Sequence, residues 1–230
     1  MTPYYEHAGI TIYHGDCREI LPTLPKCDLL LTDIPYGKVN RADSGLRSLD
    51  KGSADDADFD LQTVIESMVW SCIGSIYVWC GTEQVSPIRA AMVFAMLSTR
   101  LCVWEKTDPS PMNGQHLWLS SIEVCVYGKR PKAVFNEFCA SPVFRGPSAD
   151  TNGHPTPKPE WLMRKIVNVS ANAGQTLIDP FCGSGTSLVA AKALGLTAIG
   201  IDNEERWCEL SAKRLSQEVF DFQPERELST

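Results

Sequence analysis

Several features that define broad classes of protein are absent from this sequence of 230 residues. No apolar run approaches the roughly 20 residues that a membrane-spanning helix needs. The N-terminal stretch MTPYYEHAGI contains neither a basic segment nor a long apolar one, so we expect no signal peptide. The pattern G-x-x-x-x-G-K-[ST] is also missing, which excludes a P-loop nucleotide site.

Cysteine pairs with metal-binding spacing are missing as well. The nine cysteines never occur as C-x-x-C, and several lie inside apolar runs, where cysteine behaves as a small hydrophobic residue. We therefore expect a reduced, cytoplasmic protein without structural zinc or another bound metal.

An excess of basic residues, which proteins that bind nucleic acid usually show, is absent too. The formal net charge is −7 and the pI is about 5.1. The charge is nevertheless uneven, because basic residues gather in 38–51 and 129–132 while acidic residues gather in 55–60 and toward the C-terminus. A basic docking face on an acidic protein is therefore compatible with the sequence.

Short apolar runs alternate with segments of helical periodicity along most of the chain. Apolar residues between 61 and 72 recur at every third or fourth position, which predicts a helix that ends at Gly74. Strands are predicted at 27–33, 75–80, 100–104, 122–127, 177–179 and 198–202, and further helices at 86–97, 160–171, 185–194 and after a capping Asn203. This order predicts an α/β fold, with a mostly parallel sheet and helices on both faces. We expect one domain, 1–220, with a mobile loop at 38–58, an irregular insertion at 129–153 and a flexible tail at 221–230.

The segment 179–186, DPFCGSGT, joins a predicted strand to a predicted helix. Gly183 and Gly185 allow a ligand to approach the backbone closely. Asp202 ends the next strand 19 residues after Gly183, where an acid suits ribose hydroxyls. The third glycine of the dinucleotide-binding pattern is replaced by Leu188. A ligand with a ribose and no phosphate fits this pattern better than a dinucleotide, although a plain strand–turn–helix connection would look the same.

The segment 33–36, DIPY, follows the strand predicted at 27–33. The nitrogen of an aromatic amine is a poor nucleophile, and hydrogen bonds from its NH₂ group disperse the positive charge that develops when it attacks. Asp33 offers a carboxylate acceptor, and Pro35 biases residue 34 to an extended conformation that aims its carbonyl. Tyr36 offers a ring on which a base rotated out of a duplex can stack. The alternative is a strand end followed by an ordinary turn.

The segment 154–159, HPTPKP, precedes the helix predicted at 160–171. Its prolines stiffen the approach to the helix, and a lysine is unfavourable against the positive end of a helix dipole. We therefore expect Lys158 to meet an anion, for which a carboxylate is a good candidate. A proline-rich linker with a solvated lysine is the alternative.

Together these motifs resemble those of the DNA amino-methyltransferases that use S-adenosylmethionine. Segment 179–186 is similar to their cofactor motif, and 154–159 to the motif that helps to hold the methionine end of the cofactor. Segment 33–36 is similar to their catalytic D-P-P-Y, with Ile34 in place of the first proline. Segment 126–129 resembles a strand end that lines the target-base pocket. The catalytic motif precedes the cofactor motif, which is the permuted order of the β group.

The resemblance implies a Rossmann-like methyltransferase fold and a target base flipped out of double-stranded DNA. The implied catalytic residues are Asp33, Ile34, Pro35 and Tyr36. The implied cofactor-binding residues are Asp16, Cys17, Asp33, His154, Thr156, Lys158, Asp179, Pro180, Phe181, Gly183, Ser184, Gly185, Thr186, Asp202 and Asn203. The basic residues expected to contact DNA are Lys38, Arg41, Arg47, Lys51, Lys129, Arg130, Lys132 and Arg145.

Adenine N6 is the expected target, because the family associates Asp at the first catalytic position chiefly with adenine and Ser with cytosine. Only 38–58 and 129–153 are free to read bases, which predicts a very short recognition sequence or methylation of adenine in many contexts. The resemblance is to a compact, phage- or prophage-like member of the family. Cytosine N4, RNA and a protein amide stay open as targets, and a homodimer stays open as the assembly. A catalytically silent nucleic-acid binder and a nicotinamide oxidoreductase are less consistent with the motifs.

Overall fold

The computed structural model describes residues 2–36, 60–110, 118–150 and 157–217. Within these residues the strands are β1 (Tyr5–His7), β2 (Ile10–His14), β3 (Cys27–Asp33), β4 (Cys72–Cys80), β5 (Ser98–Lys106), β6 (Ile122–Lys129), β7 (Val143–Gly146), β8 (Thr176–Asp179) and β9 (Thr197–Asp202). The helices are α1 (Cys17–Ile20), α2 (Leu61–Ser71), α3 (Val85–Phe94), α4 (Glu160–Ser170), α5 (Thr186–Ala193) and α6 (Glu205–Ser216).

These strands form one sheet in the order β1-β2-β9-β8-β3-β4-β6-β5-β7. The five strands from β2 to β4 in this order run parallel to one another, and β6 lies antiparallel beside β4. At the edges, β1 is antiparallel to β2, while β5 is antiparallel to β6 and β7 is parallel to β5. The predicted α/β fold with a mostly parallel sheet is therefore confirmed.

Helices cover both faces of the sheet, as predicted. Helices α4, α5 and α6 pack on one face and α1, α2 and α3 on the other, each group around its own apolar core. Successive residues of a strand point to opposite faces. Leu30 of β3 therefore belongs to one core, and its neighbours Leu29 and Leu31 belong to the other. Burial on both faces explains why β3 has a continuous apolar run rather than an alternating one.

Several predicted boundaries are wrong by a few residues, including the start of β4 and the end of α3, and two of them have a clear physical reason. Helix α2 ends at Ser71, and Gly74 lies within β4, where a Cβ atom would stand 1.8 Å from the carbonyl oxygen of Asp28. Gly74 is thus required by the close approach of β3 rather than by the end of a helix. Asn203 does not cap α6, because that helix begins at Glu205 with Glu204 in the capping position.

Four elements were not predicted, namely β1, β2, α1 and β7. Strand β7 lies inside the segment 129–153 that we predicted to be irregular, and its four residues pair with the end of β5. The predicted loop 38–58 and tail 221–230 lie outside the described residues. Among the helices that the structure describes, none is long and apolar enough to cross a membrane. All nine cysteines are free thiols.

Candidate active site

Three aspartates lie at the carboxyl ends of adjacent parallel strands. Asp33 ends β3, Asp179 ends β8 and Asp202 ends β9, and these strands are neighbours in the sheet. We call this side of the sheet the carboxyl edge. Because open α/β sheets bind ligands beyond the carboxyl ends of their strands, the carboxyl edge is the candidate active site. The fold thus brings segments 33–36 and 179–186 to one place.

The backbone of segment 33–36 is held by β4 and by the turn that follows it. The amide of Ile34 donates a hydrogen bond to the carbonyl of Trp79 (3.1 Å), and the side-chain amide of Gln84 donates to the carbonyl of Pro35 (2.9 Å). A proline at position 34 would have no N–H to donate. Isoleucine in place of the first proline therefore adds an anchor to the segment, and its side chain is buried.

Asp33 and Tyr36 belong to a network of buried and half-buried polar groups. The ammonium of Lys158 contacts Asp33 Oδ2, and the Tyr36 hydroxyl donates to Asp33 Oδ1 over 3.0 Å. Lys158 Nζ also lies 3.0 Å from Glu123 Oε2 and 3.1 Å from the Tyr36 hydroxyl. Glu123 Oε1 lies 2.5 Å from Lys106 Nζ. Two carboxylates are thus matched by two ammonium groups.

Burial and ion pairing together set the charges of this network. Burial raises the pKa of Asp33, and the nearby Lys158 ammonium only partly opposes that rise. Burial alone would lower the pKa of Lys158, but the charges of Asp33 and Glu123 outweigh it and raise that pKa. Burial acts to raise the pKa of Glu123, but Lys158 and Lys106 lower it to about 2. Glu123 is therefore the stronger acid of the two carboxylic acids, and Lys158 is charged at neutral pH.

Lys158 meets an anion, as the sequence predicted. Its ammonium does meet carboxylates, but these belong to Asp33 and Glu123, and it lies 5.4 Å from the ring centroid of Tyr36. The side chain is only 8% exposed. The anion that it meets is therefore part of the protein, and its predicted contact with the cofactor stays a prediction, since Lys158 also lines a cavity beside the amino-terminal end of α5. His154 and Thr156, predicted from the same motif, lie outside the described residues.

The turn between β8 and α5 is tied closely to its surroundings. Gly183 and Gly185 have φ angles of +48° and +74°, and a Cβ atom at Gly185 would stand 2.7 Å from Ser211 Oγ. The amide of Gly183 donates to Asp202 Oδ2 over 2.8 Å, and the Ser211 hydroxyl donates to the carbonyl of Gly183 over 2.6 Å. Glycine is therefore required by both the backbone conformation and the closeness of α6.

A cavity of about 320 Å³ lies beside the amino-terminal end of α5. Its lining includes Lys158, Thr186 and Arg214. The Arg214 guanidinium donates to the carbonyl of Ser184 over 2.5 Å and lies 3.2 Å from the hydroxyls of Ser184 and Thr186. The cavity thus combines two basic side chains and two acidic ones, Asp150 and Glu160, with polar groups of the glycine-rich turn.

Asp202 is almost buried and has partners on both carboxylate oxygens. Besides the bond from Gly183, Oδ1 accepts a hydrogen bond from the amide of Glu204 over 2.9 Å. Burial raises the pKa of Asp202 to about 6, against the effect of these two hydrogen bonds. The carboxylate is therefore mainly ionised at neutral pH and has a fixed orientation. Neighbouring Asn203 is exposed, and its carbonyl accepts a hydrogen bond from His14 Nε2 over 3.2 Å.

Asp16 and Cys17, two of the predicted cofactor-binding residues, follow a glycine that is bonded to Asp202. The amide of Gly15 donates to the carbonyl of Asp202 over 2.9 Å, which fixes the start of α1 at the carboxyl edge. Asp16 caps α1 by accepting from the amide of Arg18 (2.8 Å), and it also forms an ion pair with the guanidinium of Arg18. Cys17 is buried beneath this turn.

Asp179 has a different environment from the other two aspartates. It is 4% exposed, and its carboxylate accepts hydrogen bonds from the Thr32 hydroxyl (2.7 Å), the Ser187 hydroxyl and the Phe181 amide (3.1 Å). These bonds join β8 to β3 and to α5. Its side chain therefore holds the turn together, and the cofactor contact predicted for Asp179 stays a prediction. Pro180 is buried in the same turn.

The basic residues predicted to contact DNA are not all at the carboxyl edge. Because β6 is antiparallel, Lys129 at its end pairs with Ser75 near the beginning of β4, away from the carboxyl edge, whereas Val126 pairs with Val78, next to the partner of Asp33. The structure therefore does not support DNA contacts for Lys129, Arg130 and Lys132 beside Asp33, and the base pocket at 126–129 stays a prediction. Arg130 donates to the carbonyls of Val69 (2.7 Å) and Cys72 (2.8 Å) at the end of α2.

Arg145 on β7 lies toward the carboxyl edge and is exposed, 3.6 Å from Glu105. The remaining predicted DNA contacts, Lys38, Arg41, Arg47 and Lys51, lie outside the described residues.

Glu123 and Lys106 are the site residues that our sequence reasoning missed. Both lie where β5 and β6 meet the carboxyl edge, and they enter the site because β6 begins there. The sequence does contain one signal, since Glu123 stands alone between the apolar residues of 122–127. A charged residue in a strand with two buried faces usually has a buried partner.

The fold and this arrangement define a Rossmann-like methyltransferase of permuted order, in which the strand that ends in Asp33 precedes the glycine-rich turn. Residues 103–213 match the family N6_N4_Mtase, described as DNA methylase. The chain is 25% identical over 250 residues to the type II methyltransferase M2.LlaDCHI of Lactococcus lactis subsp. cremoris, covering 94% of this chain and 92% of that one. It is 26% identical to the type II methyltransferase M2.DpnII of Streptococcus pneumoniae, covering 94% and 93%.

Solved structures agree with these matches. The M1.HpyAVI–SAM complex is 26% identical, with a TM-score of 0.71 over 90% of this chain and 99% of that chain. The cytosine-N4-specific PvuII DNA methyltransferase has a TM-score of 0.70 but only 15% identity, so that likeness concerns the fold alone. These matches support the identification of the chain as an S-adenosylmethionine-dependent DNA amino-methyltransferase, as its motifs predicted.

Proposed function

We propose that the protein transfers a methyl group from S-adenosylmethionine to the N6 amino group of adenine in DNA. The observation that carries this proposal is the position of Asp33, a half-exposed carboxylate at the carboxyl edge beside Tyr36. The family resemblance associates Asp at this position with adenine. The M1.HpyAVI structure, solved with SAM, supports the choice of cofactor.

The residues that end β8 and β9 fit an adenosine-containing cofactor. Each oxygen of Asp202 accepts one backbone hydrogen bond, and a carboxylate has about four acceptor positions, so the two ribose hydroxyls can be accommodated. Gly183, Gly185 and the segment at Asp16 and Cys17 surround that carboxylate. The cavity beside Thr186 and Arg214 suits the methionine end, because a guanidinium pairs well with a carboxylate.

In this mechanism Asp33 and the Ile34 carbonyl accept the hydrogens of the target amine and orient its lone pair. S-adenosylmethionine supplies a methyl group made electrophilic by its sulfonium. The negative charge of Asp33 stabilises the positive charge that grows on the attacking nitrogen, which is the source of the rate enhancement. Tyr36 offers a stacking surface to the base, which must leave the duplex to reach this depth.

DNA docking is proposed to involve Arg145 and the basic segment 38–51.

All described strands form one sheet, which supports a single domain over 1–220. The short segments available for base reading support a very short recognition sequence, which a homodimer would lengthen. Free thiols fit the reducing cytoplasm of a bacterial or phage-infected cell, and relatives named type II methyltransferases support a role in restriction–modification.

Mass analysis of nucleosides tests the proposal directly. Purified protein is incubated with cofactor and unmethylated DNA, or with RNA, and the products are digested. We expect N6-methyladenine in DNA. N4-methylcytosine would overturn the choice of base, modification of RNA alone would overturn the choice of polymer, and an inactive wild-type protein would overturn the proposed function.

A further inference from the structure

The carboxylate of Asp33 already has partners before any substrate binds. Lys158 contacts one oxygen and the Tyr36 hydroxyl donates to the other. The same ammonium lies 3.1 Å from the hydroxyl of Tyr36, at the end of the ring on which the target base is proposed to stack. An amine that donates to Oδ2 of Asp33 therefore shares that oxygen with the Lys158 ammonium, whose positive charge opposes the positive charge that develops on the attacking nitrogen.

Lys158 cannot simply leave the site. Its side chain is 8% exposed, and a buried ammonium left without any anion bears a large desolvation cost. Glu123 offers a second anion, since its Oε2 already lies 3.0 Å from Lys158 Nζ. The other oxygen of Glu123 is held 2.5 Å from Lys106, so this carboxylate keeps its position and its charge.

We propose that Glu123, fixed by Lys106, holds the ammonium of Lys158 when the target amine takes its place on Asp33. Glu123 is then a positioning residue, which acts on the reaction only through Lys158. No charge enters or leaves the network during the exchange, because Lys158 gives up one of two contacts that it already has. This inference rests on the proposed function, since it needs an amine that competes for Asp33.

Replacing Glu123 by glutamine tests the inference. With Asp33 as its only anion, Lys158 should stay on that carboxylate, and methylation at saturating DNA and cofactor should slow by about 10- to 100-fold. The affinity for S-adenosylhomocysteine should change less than about threefold, because Asp202 and the glycine-rich turn are untouched. E83Q is the matched control. It removes the same charge from an exposed residue that follows β4 at the same edge, and its rate should equal that of wild type.

The dependence of the rate on pH separates positioning from a structural effect. The groups that face Asp33 are Tyr36 from its own strand end, Lys158 from the segment before α4, Glu123 from β6, Cys80 from β4 and Asp179 from β8. Removing the negative charge of Glu123 should move the acid limb of the pH–rate profile to lower pH. Removing the positive charge with K158M should move it to higher pH.

A double-mutant cycle decides the outcome. If Glu123 acts through Lys158, E123Q should cause no further slowing in the K158M background. This inference would be overturned by equal slowing in both backgrounds, by a wild-type rate for E123Q, or by an acid limb that does not shift. In each of these cases an active wild-type protein leaves the proposed function standing. Should E123Q fail to fold, E123D in the same cycle serves instead, since its shorter side chain weakens the Lys158 contact and keeps the charge. An inactive wild type would refute both proposals.

Discussion

Replacing Asp33 by alanine should separate catalysis from stability. Asp33 is the proposed acceptor for the target amine, and its loss removes one preorganised partner of the transition state, worth about 10²- to 10³-fold in rate. The fold should tolerate the change, because Lys158 keeps its contact with Glu123 and is not left as an unpaired buried charge. We expect the free energy of unfolding to fall by about 1 kcal/mol, which lowers Tm by roughly 2–4 °C for a chain of this size.

Asp179 provides the matched comparison, since it is also an aspartate at the end of a buried parallel strand. Its carboxylate is buried and accepts from Thr32, Ser187 and the Phe181 amide. D179A leaves these three donors without their acceptor, and each unpaired donor lowers the free energy of unfolding by about 1 kcal/mol or more. We therefore expect the free energy of unfolding to fall by roughly 3 kcal/mol and Tm to fall by about 6–12 °C.

Both variants are measured in the same two assays, transfer of a tritiated methyl group to DNA and thermal unfolding. The expected pattern is an inactive, stable D33A protein and a destabilised D179A protein. Near wild-type activity of purified D33A would refute the catalytic assignment. Equal loss of stability in the two variants would refute the reasoning from burial and partners.

Four further predictions follow from the site and its surroundings. Replacing Asp202 by alanine should weaken binding of S-adenosylhomocysteine by about 1–3 kcal/mol in calorimetry, and an unchanged affinity would mean that the ribose lies elsewhere. Because the pKa of Asp202 is about 6, wild-type affinity should be full above that pH and fall as the pH drops through it, whereas the dependence should flatten in D202N. Neutralising the four basic residues of 38–51 together should weaken DNA binding on every sequence and reduce its salt dependence, and an unaltered salt slope would show that the segment does not contact phosphate. Single-molecule sequencing of DNA from expressing cells should show adenine methylation in a very short motif or in many contexts. Methylation confined to a single motif of five or more base pairs would contradict this prediction.

The sequence alone predicted the parts of the site that depend on local order. An apolar run that ends in an acid and a proline marks a buried strand and its carboxyl end, so 27–33 and 177–179 were placed almost without error. Glycine at 183 and 185 follows from the left-handed backbone that the turn requires. These signals are local because each arises within a few consecutive residues.

The sequence by itself therefore determined the class of fold, the two strand-end motifs and the chemistry they can perform. Only the tertiary structure decided that β6 runs antiparallel, which puts Glu123 in the site and Lys129 at the far end of the strand. It also decided that Lys158 pairs with Asp33, a contact between residues 125 positions apart. The direction of a strand and the partner of a distant charge depend on how the whole sheet is assembled, and no local pattern of side chains records them.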